Sequence, residues 1–305
     1  RVWFGKSMTT READIGAGGE QLHSGRRVLA MLETIAAQPA GVTPKDVSQT
    51  LQLHLSTCYR LLNTLVAAGY VVRAPSGLYF LGRRVAYLNH RYEASVRPRA
   101  EVLAFLHALQ LATGETAMLF RLEGNEVVTT AIVEGSRADS HPGEYIGLAG
   151  PAYAFAAGRA LLAGLPAPQR EAIIASYQAT PALPWLLPIA PQALRDDLVS
   201  IQHKGYAVDN GDGDSGVCCL AAPVRDTTGV VATAAIIAPC ARLRGNETRT
   251  LPILLEVARA MSALLSALPV QEPGTASFDP HEGSVSQAAI EAAQAAIADA
   301  MSRVT

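Results

Sequence analysis

Four neighbouring side chains in the first quarter of the chain carry groups that hydrogen-bond to nucleic acid. Ser56, Thr57, Tyr59 and Arg60 lie within Leu55–Ala68, where apolar residues recur at helical spacing. Hydroxyl and guanidinium groups suit phosphate oxygens and base edges. The pattern predicts a helix that places these groups on DNA. Two alternatives stay open, because Ser56 would also serve as a helix cap and Tyr59 would also pack under a neighbouring strand.

Basic residues flank this predicted helix on both sides. Lys45 precedes it, and Arg73, Arg83 and Arg84 follow it. Residues 22–91 contain eight basic and two acidic residues, a net charge of +6, whereas the whole chain has a net charge of −2. A basic N-terminal part on an acidic remainder fits phosphate contact by one part alone. We therefore expect Lys45, Arg73 and Arg83 to contact DNA together with the helix.

A glycine-rich run, Gly211–Gly216, matches the spacing of a dinucleotide-binding loop but lacks its context. That loop needs a helix after it, whereas a strand is predicted here, and Asp212 and Asp214 would repel a phosphate. The run also resembles a calcium loop, yet Ser215 stands at the turn glycine and Ala221 at the closing glutamate. Neither a nucleotide cofactor nor a metal is expected.

The residue types needed for catalysis are present without a recognisable arrangement. The seven histidines show no pair at ligand spacing, and the chain has no G-x-S-x-G elbow. Cys219 would need a base and an acid nearby, and its apolar strand favours a packed thiol or a pocket wall. Four cysteines are too few for a disulfide framework, so reduced thiols are expected. No catalytic residue is predicted.

The elements around the first site follow the order of a winged helix-turn-helix. Thr43 is a predicted N-cap, with Pro44 at the first helical position and Asp46 three residues after the cap. Gly69 is expected to end the second helix. Two β-prone stretches at 70–73 and 78–81 form the wing. Such a unit, residues 21–82, places one helix in a DNA groove.

The remaining chain divides into four predicted parts. Residues 1–20 have no periodicity and are expected to be disordered or vector-derived, and residues 83–98 form a linker helix. Strands and helices alternate in residues 99–269, which predicts an α+β or α/β domain. Residues 270–305 contain a linker and a C-terminal helix at Val285–Val304, which we expect to pack back on this domain rather than join another subunit.

The elements predicted for residues 99–269 can be given with their bounds. The strands are Thr116–Leu122, Glu126–Val133, Val217–Val224 and Val230–Ile237. The helices are Arg99–Leu111, Tyr153–Leu165, Pro166–Tyr177, Pro191–Lys204 and Thr250–Leu268. No apolar run reaches the length of a membrane-spanning helix and no secretory pattern opens the chain, so a cytoplasmic protein without a membrane partner is expected.

Five motifs together resemble the IclR family of bacterial transcriptional regulators over nearly all of residues 22–268. They are STCYRLLNTLVAAGYVVR, GLYFLGRR, TGET, PAYAFAAGRALLAGLP and GYAVDNGDGDSGVCCLAAPVRDTTG. The resemblance implies a winged helix-turn-helix, a linker helix and a GAF-like domain that binds a small, commonly acidic effector. It also implies homodimers, often paired into tetramers, on palindromic double-stranded operators. An enzyme with a DNA-binding appendage is the alternative reading, and a purely architectural DNA-binding protein is a third.

The family's effector-binding positions carry over onto particular residues of this chain. They fall on Ala156, Ala157, Asp209, Cys219, Ile236 and Ala238, with Phe155 at a position that is usually small. Ile236 and Ala238 stand where small hydroxyl residues are usual, and Asp212 stands where glutamate is usual. Lost hydroxyls and an added ring favour an aromatic or otherwise apolar acid over a small polyoxygenated one.

Overall fold

A computed structural model describes most of the chain. The described residues are 23–136, 144–179, 189–211 and 216–267, with positions 291, 292, 295, 298 and 299 of a C-terminal helix. The predicted N-terminal segment 1–20, most of the proline-rich loop after residue 179 and most of the helix Val285–Val304 lie outside these residues. The chain forms two compact units, with the boundary between Ala94 and Ser95.

The first unit begins with three helices, of which the second starts where the sequence predicts. They are α1 (His23–Ala36), α2 (Pro44–Leu51) and α3 (Leu55–Ala67). Thr43 caps α2 by accepting a hydrogen bond from the Asp46 amide, while the Asp46 carboxylate accepts one from the Thr43 amide at 2.8 Å. This reciprocal capping box, with Pro44 at the first position, fixes the start of α2. Gln52 adopts a left-handed conformation that ends α2 before α3 begins.

A two-stranded wing follows α3 and closes the small core of the first unit. Strands β1 (Val71–Arg73) and β2 (Tyr79–Leu81) pair antiparallel. Gly69, with a φ of +78°, turns the chain from α3 into β1, as predicted. The buried stripe of α3 packs in the same cluster as residues of α1, α2 and both wing strands. The winged helix-turn-helix is therefore confirmed.

Helix α4 (Arg83–Val96) runs on from the wing and has no buried residue. It lies within residues 83–98, where the linker helix is predicted. Among its apolar side chains Tyr87 and Leu88 are about half exposed. A fourteen-residue helix with no buried face is marginal in water by itself. The exposed surface of α4 is a candidate for contact between two copies of the chain.

The second unit is built on a six-stranded antiparallel sheet with the order β5-β4-β3-β8-β7-β6. The strands are β3 (Thr116–Glu123), β4 (Glu126–Val133), β5 (Ala149–Pro151), β6 (Ala207–Asp209), β7 (Val217–Asp226) and β8 (Gly229–Pro239). The two predicted hairpins, β3–β4 and β7–β8, are confirmed, whereas the short edge strands β5 and β6 were not predicted. The predicted α+β class is confirmed, and the architecture is compatible with a GAF-like domain.

Helices cover both faces of this sheet. The helices of the second unit are α5 (Ala100–Thr113), α6 (Ala156–Ala163), α7 (Ala167–Ala179), α8 (Pro191–Lys204) and α9 (Cys240–Ala267). Residues of α5 and α9 share one core cluster with one set of strand residues, and residues of α6, α7 and α8 share a second cluster with the other set. We call these two sides the α9 face and the α6 face. Since side chains alternate along a strand, neighbouring residues belong to opposite faces.

Helix α6 is shorter than the predicted helix Tyr153–Leu165. Residues Ala152–Ala154 form a 3-10 turn, Phe155 is extended, and α6 begins at Ala156. Gly158 lies so close to this turn that a Cβ there would come within 2.1 Å of the Ala152 carbonyl oxygen. Only glycine fits this approach. The turn therefore packs directly onto the first turn of α6.

Helix α9 begins ten residues earlier than predicted and is held at its start by two links. The Arg242 guanidinium forms a bidentate ion pair with Glu115, at 2.6 and 2.7 Å. Cys240 forms a disulfide with Cys218 of β7. The expectation of four reduced thiols is therefore wrong for this pair, because the strand end and the helix start bring the two Cα atoms within 4.7 Å. Cys58 and Cys219 are free.

Helix α9 also corrects the expectation that no stretch reaches membrane-spanning length. Among the described helices it is long and apolar enough to do so by length and composition. It carries Glu256 and Arg259, however, and buries eight of its side chains in the second unit. Core helices pass the same test, and α9 packs as one. Near the C-terminus, Ala292, Ala295 and Asp299 lie beside α9, where Asp299 acts electrostatically on Arg259.

Candidate functional site

The outer surface of α3 presents the polar side chains predicted for DNA contact. Ser56, Tyr59 and Arg60 are exposed, with Tyr59 at 45%, and Thr57 is half-buried. The reason is the helical period, since Cys58, Leu62 and Leu65 form the buried stripe of this helix. The N-cap of α3 is His54, so Ser56 is not used as the cap. Val66, expected in the apolar stripe, is 37% exposed.

Three basic side chains extend this surface in the first unit. Lys45 on α2, Arg73 at the base of the wing and Arg83 at the start of α4 are all exposed. The Arg73 guanidinium lies 5.8 Å from the centroid of the Tyr79 ring, a cation–π contact that orients it. These three side chains, like Ser56, Tyr59 and Arg60 of α3, are exposed on the winged unit, as contact with a phosphate backbone requires.

The second candidate site lies on the α6 face of the sheet in the other unit. Phe155, Ala156 and Ala157 are buried in the α6-face cluster at the start of α6. Thr233 of β8 donates a hydrogen bond to the Ala157 carbonyl oxygen at 3.1 Å, which fixes α6 against the sheet. Phe155 caps α6 without a side-chain hydrogen bond. The first-turn amides of α6 therefore have no acceptor within the helix.

Cys219 and Asp209 lie opposite each other on paired strands and share this face. Asp209 of β6 pairs with Cys219 of β7, and Cys219 packs against the α6-face cluster. Burial raises the pKa of the Cys219 thiol well above its usual range, and the charges of Asp209 and Glu144 raise it further. The sulfur is therefore a protonated thiol at neutral pH, which is unsuited to nucleophilic attack.

Two of the seven residues predicted for the effector pocket lie on the face of the sheet opposite Cys219. Ile236 and Ala238 belong to the α9-face cluster, on the side of the sheet opposite Cys219. From β8 the α6-face cluster contains Ala235 and Ile237, and Ile237 pairs directly with Cys219. A shift of one residue along a strand exchanges its faces, which separates Ile236 and Ala238 from Cys219. The α6 face of β8 also carries the Thr233 hydroxyl, which donates to the Ala157 carbonyl oxygen.

One arginine lies among these groups and is already engaged. Arg159 of α6 donates a hydrogen bond to the Val208 carbonyl oxygen at 2.7 Å, and its Nε lies 2.9 Å from an oxygen of Asp197. The Nε–H group of Arg159 is not aligned for a hydrogen bond to the Asp197 carboxylate. The guanidinium is only 15% exposed, so its charge is largely used within the protein.

Glu144 was not predicted as a site residue. It lies just before β5, and its Oε2 atom is buried without a hydrogen-bond partner. Burial raises the pKa of this carboxyl to about 7, and its charge acts on Cys219. Its sequence neighbourhood is an ordinary polar loop, so only the fold identifies it. Among the described residues no group of three His, Cys, Asp or Glu is placed to hold a metal ion.

Comparison with known proteins decides the family. The IclR helix-turn-helix domain matches residues 26–75, and the bacterial transcriptional regulator IclR C-terminal domain matches residues 91–263, more than half of the chain. The chain belongs to the IclR family of bacterial transcriptional regulators. Residues after 263, including the C-terminal helix, lie outside both matches.

Individual IclR relatives agree with this assignment. The HTH-type transcriptional regulator XynR of Escherichia coli (strain K12) is 32% identical over 204 residues, which are 67% of this chain and 80% of XynR. The HTH-type transcriptional repressor AllR of the same strain is 31% identical over 224 residues, 71% of this chain and 80% of AllR. These relatives are named as regulators of transcription rather than as enzymes.

A solved structure of an IclR homolog from Microbacterium hydrocarbonoxydans, complexed with 4-hydroxybenzoate, resembles most of the chain. It superposes with a TM-score of 0.63 at 26% identity, covering 80% of this chain and 100% of that one. That IclR homolog therefore binds a small aromatic acid. The chain described here is accordingly an IclR-type, DNA-binding transcriptional regulator whose family includes a member bound to such a ligand.

Proposed function

We propose that this regulator binds a palindromic operator through paired winged units and releases or retains it in response to a small aromatic or otherwise apolar acid. The observation that carries the proposal is the combination of two surfaces in one chain. One is the exposed polar face of α3 with its basic flanks. The other is the apolar α6 face, where Phe155, Ala235 and Ile237 share a cluster with Cys219, the strand partner of Asp209.

In this proposal Arg60, Tyr59, Ser56 and Thr57 approach base edges and nearby phosphates from the major groove. Lys45, Arg73 and Arg83 contact the phosphate backbone. The division follows from position, because α3 is the second helix of the helix-turn-helix and the other three residues lie beside it. Phosphate contacts add affinity at every sequence, whereas base contacts distinguish sequences.

A second copy of the chain is the proposed cover for α4. The side chains of Tyr87, Leu88 and Tyr92 are 51%, 47% and 37% exposed. No described residue of α4 is buried. Pairing two such helices buries apolar surface and sets two winged units at a fixed spacing, as two half-sites require. Both a dimer and a tetramer built from two dimers satisfy this geometry.

The effector is proposed to lie on the α6 face with its carboxylate toward the start of α6. The first-turn amides of Ala156 and Ala157 are suitable donors for an anion, since Phe155 supplies no side-chain cap. The apolar side chains around Cys219 suit a ring better than a dicarboxylate. The 4-hydroxybenzoate held by the Microbacterium hydrocarbonoxydans homolog supports this class of ligand.

The proposed coupling is a shift between two populated states of the dimer. An effector with unequal affinity for the operator-bound and operator-free states changes the spacing of the two wings. We infer that the protein acts in the cytoplasm, where its DNA lies, and that it is not an enzyme. The second inference is supported by the Cys219 thiol, whose raised pKa keeps it protonated, and by the naming of the relatives as regulators.

The test combines DNA protection with ligand titration. Protection mapping at the regulator's own promoter region should show two related half-sites about one helical turn, or a multiple of it, apart. Arg60→Ala should abolish discrimination between this site and random DNA. Lys45→Ala should weaken binding to both and lower the slope of log K against log salt by about one per half-site.

Effector binding is tested with the full chain and a panel of acids. Benzoates should raise the melting temperature and change operator affinity, whereas succinate and pyruvate should do neither. Cys219→Ala and Phe155→Ala should alter the benzoate response, and Ile236→Val, on the α9 face, should not. Tighter binding of small dicarboxylates or keto acids than of benzoates would overturn the proposed effector class.

A further inference from the structure

Three buried side-chain atoms among the described residues have no hydrogen-bond partner. The three atoms are Thr129 Oγ1, Glu144 Oε2 and Arg159 Nε. Thr129 pairs with Phe120, which belongs to the α6-face cluster, and Arg159 lies on α6 itself. Arg159 Nε lies 2.9 Å from an Asp197 carboxylate oxygen, so Glu144 Oε2 is the charged atom of the three that is left without a partner, and buried polar groups are almost always paired.

Glu144 is the most costly of the three to leave unpaired. A buried carboxylate without donors is unfavourable, and this one has its pKa raised to about 7 by burial. Burial and the Glu144 charge raise the pKa of the neighbouring Tyr145 phenol, so that group stays protonated. An unpaired buried carboxyl lowers the stability of the fold, and such destabilising groups are typical of ligand-binding sites.

The surroundings of Glu144 determine what kind of ligand group would pair with it. Its charge reaches Cys219, which lies opposite Asp209, so two carboxyls approach the same thiol. The guanidinium that also acts on Cys219 is Arg159, and it is engaged by Asp197 and the Val208 carbonyl. This end of the α6 face therefore repels a carboxylate and suits a hydrogen-bond donor.

We propose that Glu144 determines effector specificity by accepting a hydrogen bond from a hydroxyl or amino substituent at the end of the effector opposite its carboxylate. This inference rests on the effector site proposed above. The effector class narrows accordingly to apolar or aromatic acids that carry a donor at the far end. An unsubstituted acid fills the apolar part of the site but leaves Glu144 unpaired, which costs affinity.

The experiment measures dissociation constants by calorimetry on the full chain. The probes are benzoate, 4-hydroxybenzoate, 4-aminobenzoate and 4-methoxybenzoate, the last being large enough but lacking a donor. The wild-type chain should bind the hydroxy and amino acids about tenfold or more tighter than the other two, as expected for a hydrogen bond to a charged group.

Two substitutions at Glu144 separate acceptor from charge. Glu144→Met removes the acceptor and should bring the four constants within about threefold of one another, by weakening the donor-bearing acids while sparing benzoate. Glu144→Gln keeps a carbonyl acceptor and should retain part of the preference. The matched control is Glu134→Met at an exposed glutamate, which should keep the full preference. Melting curves establish that each variant is folded.

The outcomes distinguish this inference from the function on which it rests. Equal binding of all four benzoates by the wild type, or a donor preference that survives Glu144→Met, would overturn the role of Glu144 and leave the effector site intact. If the chain bound none of the four acids, both the proposed effector class and the proposed role of Glu144 would be overturned. The proposed operator binding would not be affected. A melting shift with Mg²⁺ or Ca²⁺ that Glu144→Gln removes would replace the donor with a cation.

Discussion

The two faces of the central sheet bury polar groups in opposite ways. On the α9 face, Glu115 has both carboxylate oxygens bonded to Arg242, and Cys218 is joined to Cys240. By contrast, Thr129 on the α6 face and Glu144, whose charge acts on Cys219 of that face, have buried atoms without partners. The same strands build both faces, so the difference lies in the residues that face each way. The proposed effector site lies on the face with the unpaired atoms.

The largest test of this contrast removes the paired carboxylate on the α9 face. Glu115→Ala leaves Arg242 partly buried without its partner, which costs about 3–5 kcal/mol of unfolding free energy. The measurement is urea unfolding at pH 7. The matched control is Glu171→Ala, which breaks a bidentate pair with Arg195 whose two side chains are about 40% exposed. Such a pair contributes about 1 kcal/mol or less. Equal losses for both variants would contradict the assignment of Glu115 as a buried anchor.

The second test removes the disulfide bond on the α9 face. Cys218 and Cys240 are 22 residues apart, and closing a loop of that length stabilises a protein by about 3 kcal/mol. Cys240→Ser in non-reducing buffer should lose about this amount. Adding dithiothreitol to the wild type should have a similar effect, and the reductant should leave the variant unchanged. A wild type insensitive to reductant would show that the bond is not formed in solution.

The sequence was most informative where structure depends on nearby residues. Thr43, Pro44 and Asp46 specify the start of α2 through contacts within one helical turn, and the apolar stripe of α3 specifies which face is exposed. The hairpins β3–β4 and β7–β8 likewise join strands that are adjacent in sequence. These features need no knowledge of the rest of the fold.

The features that could not be predicted depend on contacts between distant elements. The face occupied by Ile236 depends on strand register, and an apolar run such as Ala234–Ala238 reads the same for either face. The Cys218–Cys240 pair depends on α9 beginning at Cys240, in a polar stretch that lacks helical periodicity. Glu144 becomes notable only because folding buries it.

The third test concerns the cost of the unpaired carboxyl on the α6 face. The Glu144 pKa is raised from 4.5 to about 7 in the folded chain. The folded state therefore holds an extra proton between these pH values, and stability falls as the pH rises through this window. Above about pH 7 the penalty is complete and amounts to about 2 kcal/mol, allowing for the solvent that reaches part of the side chain.

Glu144→Gln should remove this penalty. The variant should be more stable than the wild type by about 2 kcal/mol at pH 8 and equal to it near pH 4.5. Glu144 interacts electrostatically with Cys219 and Tyr145, and burial raises the pKa of both the thiol and the phenol, so neither ionises in this window. Asp209 and Arg159 also act on Cys219. The control Glu134→Gln should show the same difference from the wild type at every pH. A difference for Glu144→Gln that does not vary with pH would contradict the burial of its charge.

The smallest effect comes from adding one hydroxyl to either face of β8. Ile237→Thr places it on the α6 face beside Cys219, where it should shift the ratio of affinities for small polyoxygenated acids and benzoate by about tenfold, or 1.4 kcal/mol. Ile236→Thr places it in the fully buried α9-face cluster, where an unpaired hydroxyl lowers stability by about 1–3 kcal/mol. That variant should keep the wild-type ratio of affinities. Because the two residues are adjacent and identical, the pair isolates the effect of the face itself. If Ile236→Thr changed the ratio of affinities and Ile237→Thr did not, the effector would bind on the α9 face, where the predicted pocket residues Ile236 and Ala238 lie.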